Sequence, residues 1–591
     1  MMTRRLSTTL RRAITGIALC LILAVLLGLD LRAHGLAWQT MFNLTGEESP
    51  LGQIRGMIEL GSNLTRPPLN LAIDTTLRNT LVGPYITPYG INTFLEQEAE
   101  VAKRERSLQM IHDAGFGWIR QQFSWADIEI HGRGDFEDRR NLEVTGGPIS
   151  AWDKYDNIVD LAQQYNVQIM ARLDNPPAWT HANPDIGDFA PPDDVQDFVN
   201  YATAVAERYY GRIHVYQVWN EPNIYPEWGN QTVDPAAYTD MLCRTYRALK
   251  EVDPSIIVVT GALAPTLELS GRDLNDLIFL QRMYDAGAGE CFDVLSAQAY
   301  GFFSAATDQR TRPTTITFTH HRYVRDVMVA NGDADKAIWL SEAAWNPIDS
   351  PEVPPDVQNR EGYGVVTQEE AARYMPQAYQ LTEENYPYIG VMFYWFFKRP
   401  AEYERNQSWY YFRMVEPDFT PLPVYDAMRD YIHTHTPMLY RGMHPPDDLG
   451  IMNSIGVERV NDPHMPYGYA MAITGGLYSS YPVSGTDVRF RLSSSEDTGS
   501  ALVSVNGVRT AVVFPHDQPY VTIPLGFVRT SATVTINSYD SPIMVESVQV
   551  IDHTVDNLFR AALIIGVPVM FVGIGLVIAV WSRLAKRRKP T

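Results

Sequence analysis

Eight short apolar runs alternate with amphipathic stretches from residue 85 to about residue 434, and six short alternating runs broken by Gly, Pro, Asn and Asp follow before residue 555. Two long uncharged segments lie near the ends. Together these observations predict an α/β chain, a (β/α)8 TIM barrel followed by an antiparallel β-sandwich, flanked by N- and C-terminal transmembrane helices.

The terminal segments come first. Ala13 to Leu29 and Ala561 to Trp581 contain no charged residue, and apolar stretches of about 17 to 25 residues can cross the hydrocarbon core as helices. Arg4, Arg5, Arg11 and Arg12 precede the first, while Arg583, Lys586, Arg587, Arg588 and Lys589 follow the second. Basic flanks of this kind stay in the cytoplasm, so both termini are expected there and the residues between outside the membrane. A cleaved signal peptide is the alternative for the first segment, but Leu31-Arg32-Ala33 makes a poor small-x-small site. The expected organisation is a tail and membrane segment over 1–34, a stalk or sandwich-associated strands over 35–84, the barrel over 85–434, the sandwich over 440–555, and a second membrane helix with a basic tail over 559–591.

Without those nine basic residues, the 48 Lys+Arg fall to 39 against 69 Asp+Glu, leaving the intervening chain near −30. Nucleic acid is thereby excluded as a partner, because phosphate binding needs a basic footprint. Three cysteines are too few for a disulfide framework. Cys20 lies in the first uncharged segment, and an oxidising compartment permits a bond between Cys243 and Cys291. Cys243 falls in a predicted helix and Cys291 just before a predicted strand.

The eight runs are GINTF (90–94), GWIRQQF (117–123), VQIMARL (167–173), VYQVWN (215–220), IIVVTG (256–261), VLSAQAY (294–300), AIWLSE (337–342) and GVMFYWFF (390–397). YDNIVDLAQQY, VQDFVNYATAVAERYY and PAAYTDMLCRTYRALKEV between them repeat apolar residues at three and four, the helical spacing. PLPVYDAMRDYI completes the eighth unit near Ile432. VRFRLSS, SALVSVNG, TAVVFP, YVTIPLG, ATVTINS and MVESVQVI then alternate with period two, as half-buried antiparallel strands do. No Trp occurs between 440 and 555, which favours a structural role for the sandwich over a sugar-stacking one.

Chemistry concentrates at the ends of runs four and seven. In a barrel the catalytic side chains gather at the C-terminal ends of the strands, and Glu221 and Glu342 end those two runs. They are three β/α units apart, so both point into one mouth. Two facing carboxylates are what glycosidic bond cleavage requires.

With WNEPN after the fourth run and LSE closing the seventh, the chain resembles the retaining glycoside hydrolases of clan A, nearest to families 39 and 5. YGIN, WIRQQFSWADIE, WDKYDNIVDLA, LDNPPAW and Trp395 extend the likeness over Tyr85 to Ile432. The resemblance implies that Glu221 is the acid/base and Glu342 the nucleophile of a double displacement. It further implies that Asn220 lies beside the sugar 2-hydroxyl, that Arg120 and Tyr300 hold the nucleophile, and that Trp395 forms the aromatic floor. The sixth run departs from the family, with Gln298-Ala299-Tyr300 where His-x-Tyr is common. That departure bears on pH dependence and on the role of Tyr300.

Other residues have plainer alternatives. Trp125, Trp179, Trp228 and Trp345 end loops and suit either sugar faces or the core; Trp179 and Trp345 are taken as substrate contacts. Asp127, Glu129 and His131, or Asp185 and Asp188, lack convergent metal-ligand spacing and read as solvated loops. The expected activity is therefore cofactor- and metal-free hydrolysis of β-linked oligosaccharides or polysaccharides by a membrane-anchored glycosidase. A transglycosidase remodelling envelope or exopolysaccharide glycans, and a non-catalytic glycan-binding protein, are the alternatives.

Overall fold

The computed structural model describes residues 8–77, 87–358, 361–494, 498–515, 519–538 and 541–561. They fall into two compact units, one within Met1–Leu71, Thr87–Thr382 and Ile389–Thr434, the other within Ala72–Ile86, Glu383–Tyr388 and His435–Thr591. The boundary expected at residue 85 lies outside the described residues.

The first unit opens with three helices, α1 (Thr8–Arg32), α2 (Leu36–Thr45) and α3 (Pro50–Gly61). Among the described residues no helix is long and apolar enough to cross a membrane. This corrects the transmembrane helix expected at the N-terminus. The uncharged run Ala13–Leu29 is at the lower end of the length that can cross a bilayer core, and Asp30 and Arg32 end it. Asp30 instead serves the protein, accepting from the backbone N–H groups of Ala37 at 2.8 Å and Trp38 at 3.1 Å. Those are orphan donors in the first turn of α2, which an acidic side chain satisfies. The second segment, Ala561–Trp581, lies outside the described residues beyond Ala561.

Residues expected as a stalk or strands thus form helices. Ser49 starts α3 by accepting from Gly52 N–H, with Pro50 at the first helical position. The α2–α3 hairpin is fastened within the first unit by Arg310, whose side chain is 1 % exposed and reaches Glu47 at 2.9 Å, Glu59 at 2.8 Å and Asp308 at 2.7 Å.

Eight parallel strands follow: β1 (Tyr89–Thr93), β2 (Trp118–Ser124), β3 (Gln168–Asp174), β4 (Val215–Val218), β5 (Ile257–Val259), β6 (Leu295–Gln298), β7 (Ile338–Ala343) and β8 (Ile389–Tyr394). They pair in the order β5-β4-β3-β2-β1-β8-β7-β6, and parallel bridges Val259–Val294 and Leu263–Ala297 link the two outer strands. The TIM barrel is thereby nearly closed. Every residue of β1, β4, β6 and β7 is buried, which is why these runs are almost continuously apolar rather than alternating.

The helices between strands begin where their caps dictate. Asp194 accepts from Gln196 N–H ahead of α4 (Val195–Arg208), and Asp234 from Ala236 and Ala237 ahead of α5 (Pro235–Val252). Cys243 of α5 is disulfide-bonded to Cys291, with Cα atoms 4.7 Å apart. The predicted helix and the segment before β6 are neighbours, so helical and pre-strand positions do not prevent the bond.

In the second unit, antiparallel sheets of six and five strands run between Gly442 and Ile551. Residues 487–494 alternate in burial along the strand, and Val488, Phe490 and Leu492 share one core with Tyr481, Val483, Val503, Val534 and Val548. Period two in the sequence becomes one buried face per sheet.

Arg310→Met should cost about 1.5 to 3 kcal/mol, because buried Asp308 would keep only Arg312 of its two guanidinium partners and Glu47 would lose its contact to Arg310. Urea denaturation of the full chain measures this, and trypsin should then cut preferentially within 36–65. A loss below about 1 kcal/mol would show that the hairpin is held by other contacts.

Candidate active site

The end of β4 sets the first half of the site. Trp219, at φ +75°, adopts a left-handed conformation that costs a bulky side chain free energy. Its indole is held by a 2.8 Å bond to the Glu227 carbonyl and by edge contacts with Phe198 and Trp228. The turn presents Asn220 and Glu221 at the barrel mouth. Gly261, after β5, permits the close approach, since a Cβ there would meet the Asn220 carbonyl oxygen at 2.7 Å. Asn223 clamps the same turn, its side chain exchanging bonds with Ala264 and Leu274 at 2.8 to 3.1 Å.

The second half comes from β7. Its register against β6 shifts so that Ala297 pairs with Leu340 and Gln298 with Glu342. The intervening Ser341 is accommodated as a bulge, a device that re-aims a side chain. Glu342 accepts from Arg120 Nη1 at 2.8 Å on Oε1 and from the Tyr300 hydroxyl at 2.6 Å on Oε2. Arg120, only 2 % exposed, also donates to Asn92 at 2.9 Å, Gln217 at 2.6 Å and Asn220 Oδ1 at 2.6 Å. Burial works against its charge, and Glu342 is the foremost group opposing that effect. With its oxygen taken by Arg120, Asn220 is left to turn its amide N–H toward the carboxyls.

Glu221 stands in different surroundings. Gln298 Nε2 donates to its Oε1 at 2.6 Å, while Asn220 Nδ2 lies 3.4 Å from Oε2. Burial, and then the charges of Glu342 and Glu227, push its carboxyl well above the usual range; Gln298 and Arg120 pull the other way. Glu227, six residues on, is pushed up to about 7, chiefly by burial, with Arg172 and an Asn220 hydrogen bond opposing. Burial and Glu342 likewise raise Tyr300, which keeps its hydroxyl protonated. The arrangement is able to hold a proton on Glu221 beside a carboxyl, Glu342, that faces two donors.

Of the residues singled out in the sequence, Glu221, Glu342, Arg120, Asn220 and Tyr300 therefore form one hydrogen-bonded group. Trp395 follows β8, half-buried, with Phe94 edge-on at 5.6 Å. Trp179 lies in the loop after β3, half-buried and bonded to the Glu129 carbonyl at 2.8 Å. Trp345 is corrected: it is 1 % exposed, stacks on Phe318 and bonds the Ser304 carbonyl at 2.7 Å. A Cβ on Gly301 would meet its ring at 1.8 Å. Trp345 is therefore the plate against which the Tyr300 loop packs, and no sugar face reaches it. Trp125 and Trp228 are also core residues.

Asn92, Gln217, Glu227 and Tyr363 escaped the sequence reading. Asn92 and Gln217 had a signal, a polar residue inside a buried strand, which must find partners. Tyr363, although 44 % exposed, is raised by partial burial and then by the charges of Glu221 and Glu342. Nothing in its surrounding sequence marks it.

The family model of Cellulase (glycosyl hydrolase family 5) matches residues 83–386. No curated protein sequence matches the chain. Among solved structures, a family 39 glycoside hydrolase from Bacteroides cellulosilyticus WH2 is 15 % identical, with 80 % of this chain and 83 % of that one covered at TM-score 0.44. The GH39 enzyme from Xanthomonas axonopodis pv. citri is 13 % identical, covering 80 % and 97 % at TM-score 0.42. A monomeric beta-xylosidase from Caulobacter crescentus CB15 is 14 % identical, covering 79 % and 99 % at TM-score 0.42.

Arg120→Met should destabilise the fold by about 3 to 5 kcal/mol, since it strands a buried carboxyl. In a Glu342→Gln background the same substitution should cost less, and a double-mutant cycle from urea denaturation isolates the coupling. Strictly additive losses would mean that the two side chains do not support each other.

Proposed function

This chain belongs to glycosyl hydrolase family 5, the cellulase family, and from that membership we propose that it cleaves β-linked glycans with retention of configuration, Glu342 attacking and Glu221 exchanging the proton. As an O-glycosyl hydrolase of clan A it acts on glycans; the linkage, the roles and the compartment are the proposal. The observation that carries the roles is the contrast between the two carboxyls. Glu342 accepts from a guanidinium and a hydroxyl, the setting of a nucleophilic carboxylate. Glu221 is raised by burial and neighbouring negative charge, the setting of a general acid.

In the first step Glu342 bonds to the anomeric carbon while the glycosidic C–O bond breaks and Glu221 passes its proton to the departing oxygen. Water then attacks the glycosyl ester, giving its proton to the Glu221 carboxylate and releasing Glu342. Asn220, its Oδ1 held by Arg120, offers its N–H to the sugar 2-hydroxyl. Trp395 supplies the apolar floor beneath the ring, and Trp179 a contact further along the chain of sugars.

Glu342→Ala should abolish turnover of 2,4-dinitrophenyl β-glycosides, and azide should restore it with an α-glycosyl azide as product. Glu221→Ala should lose roughly 10²- to 10⁴-fold on substrates with poor leaving groups, and azide should there give the β-azide. Inverted product from the unaltered enzyme, or the two azide outcomes exchanged, would refute the assignment.

The Cys243–Cys291 bond supports a site of action outside the cytoplasm, since such bonds persist in oxidising compartments. Alkylation of the chain denatured directly from its native cells should label one thiol, that of Cys20, before reduction and three after it. Labelling of all three before reduction would place the chain in a reducing compartment.

A further inference from the structure

We propose that Gln298 is a positioning residue that determines which oxygen of Glu221 delivers the proton; this rests on Glu221 being the acid/base. Gln298 closes β6 and is 3 % exposed. The register shift opposite Ser341 pairs its backbone with Glu342, while its side chain reaches past the short β5 to Glu221. There Nε2 donates to Oε1 at 2.6 Å.

A carboxylic acid has one carbonyl oxygen and one hydroxyl oxygen. An oxygen that already faces an N–H at this distance has no room for a hydrogen of its own along that direction, so Oε1 is the carbonyl oxygen of the protonated acid. The proton therefore sits on Oε2, whose neighbour Asn220 Nδ2 is at 3.4 Å, near the limit of a hydrogen bond. Oε2 is the atom free to give its proton to a glycosidic oxygen. An amide remains a donor at every working pH, whereas an imidazole in the same place would change its own charge near neutrality. Gln298 thus separates the titration of Glu221 from that of any partner on β6.

The other groups facing Glu221 are Glu342 from β7 and Glu227 from the loop after β4, both of which raise it, and Arg120 from β2, which lowers it. The hydroxyls of Tyr300, after β6, and Tyr363 are neutral neighbours. Because a donor favours the charged carboxylate, Gln298 moderates an acid that burial would otherwise push higher still. The sign follows. Activity that needs the proton falls as pH rises through the acid's pKa, and losing the donor moves that fall to higher pH.

The test uses the full chain labelled with carboxyl-13C glutamate, with Glu221 assigned by its disappearance in Glu221→Gln. In Gln298→Met, which keeps the volume and lacks the donor, the Glu221 midpoint should rise by about one pH unit, the scale of one charge-assisted hydrogen bond. kcat/KM for a phenyl β-glycoside should fall about tenfold, a part of the roughly 10²- to 10⁴-fold that proton transfer supplies. The 2,4-dinitrophenyl glycoside of the same sugar needs no proton and should change less than about twofold. Gln298→His restores an N–H, so the midpoint should return toward the original value, with a second titration step from the imidazole; it keeps the test readable if the methionine variant does not fold. An unchanged or lowered midpoint in Gln298→Met, or equal losses on both leaving groups, would overturn the proposal. Inverted product from the unaltered enzyme would remove the reading on which it rests, whatever the titration shows.

Discussion

A single guanidinium sets the terms for the rest of the barrel mouth. Arg120 is buried, and a buried charge is tolerated only when its donors are satisfied and an opposite charge is near. Its acceptors come from β1 (Asn92), β7 (Glu342), β4 (Gln217) and the residue just beyond β4's turn (Asn220). Each is fixed in turn. Asn92 donates to the carbonyls of Ser341 and Tyr394 at 2.8 and 3.1 Å, and Gln217 to the Thr260 carbonyl and the Ser296 hydroxyl at 3.1 and 2.9 Å. Strands β1, β2, β4, β6, β7 and β8 and the end of β5 are thereby joined through one polar network. A slip of one residue in any of them would turn its polar member away from the mouth, so the charge that orients Glu342 also penalises wrong registers.

The fold was legible where local pattern suffices. Run VYQVWN became β4 and run AIWLSE became β7 because strands buried on both faces need continuous apolar sequence, and both carboxylates were visible because each ends such a run. The polar members inside the runs were harder to interpret. Gln217 looks like an interruption until β2 brings Arg120 beside it, a contact across 97 residues. Gln298 stood out as a departure from a family pattern, but its partner, 77 residues away, is a matter of barrel geometry. Trp345 shows the opposite error: an aromatic at a strand end reads alike whether it faces sugar or protein, and only the close approach of Gly301 settles which. At the N-terminus an uncharged run suggested a membrane span, while Asp30, one residue beyond it, was already committed to capping α2. The cysteine bond depended on a Cα separation that no spacing in sequence reveals.

The two carboxyls differ by the kind of donor each receives, and the third carboxyl extends that difference over pH. Glu227, pushed up to about 7 by burial, changes charge near neutral pH. Below that pH Glu227 is neutral and adds little repulsion. As pH rises it ionises, and its charge joins that of Glu342 in disfavouring a carboxylate at Glu221. The protons of neighbouring acids leave as a set rather than independently, so loss of the first makes loss of the second harder. The push is opposed, because Gln298 and Arg120 both favour the carboxylate form of Glu221. An acid raised without limit would give up its proton too reluctantly to serve afterwards as a base. The proposed double role of Glu221, acid and then base, calls for both pulls on one side chain.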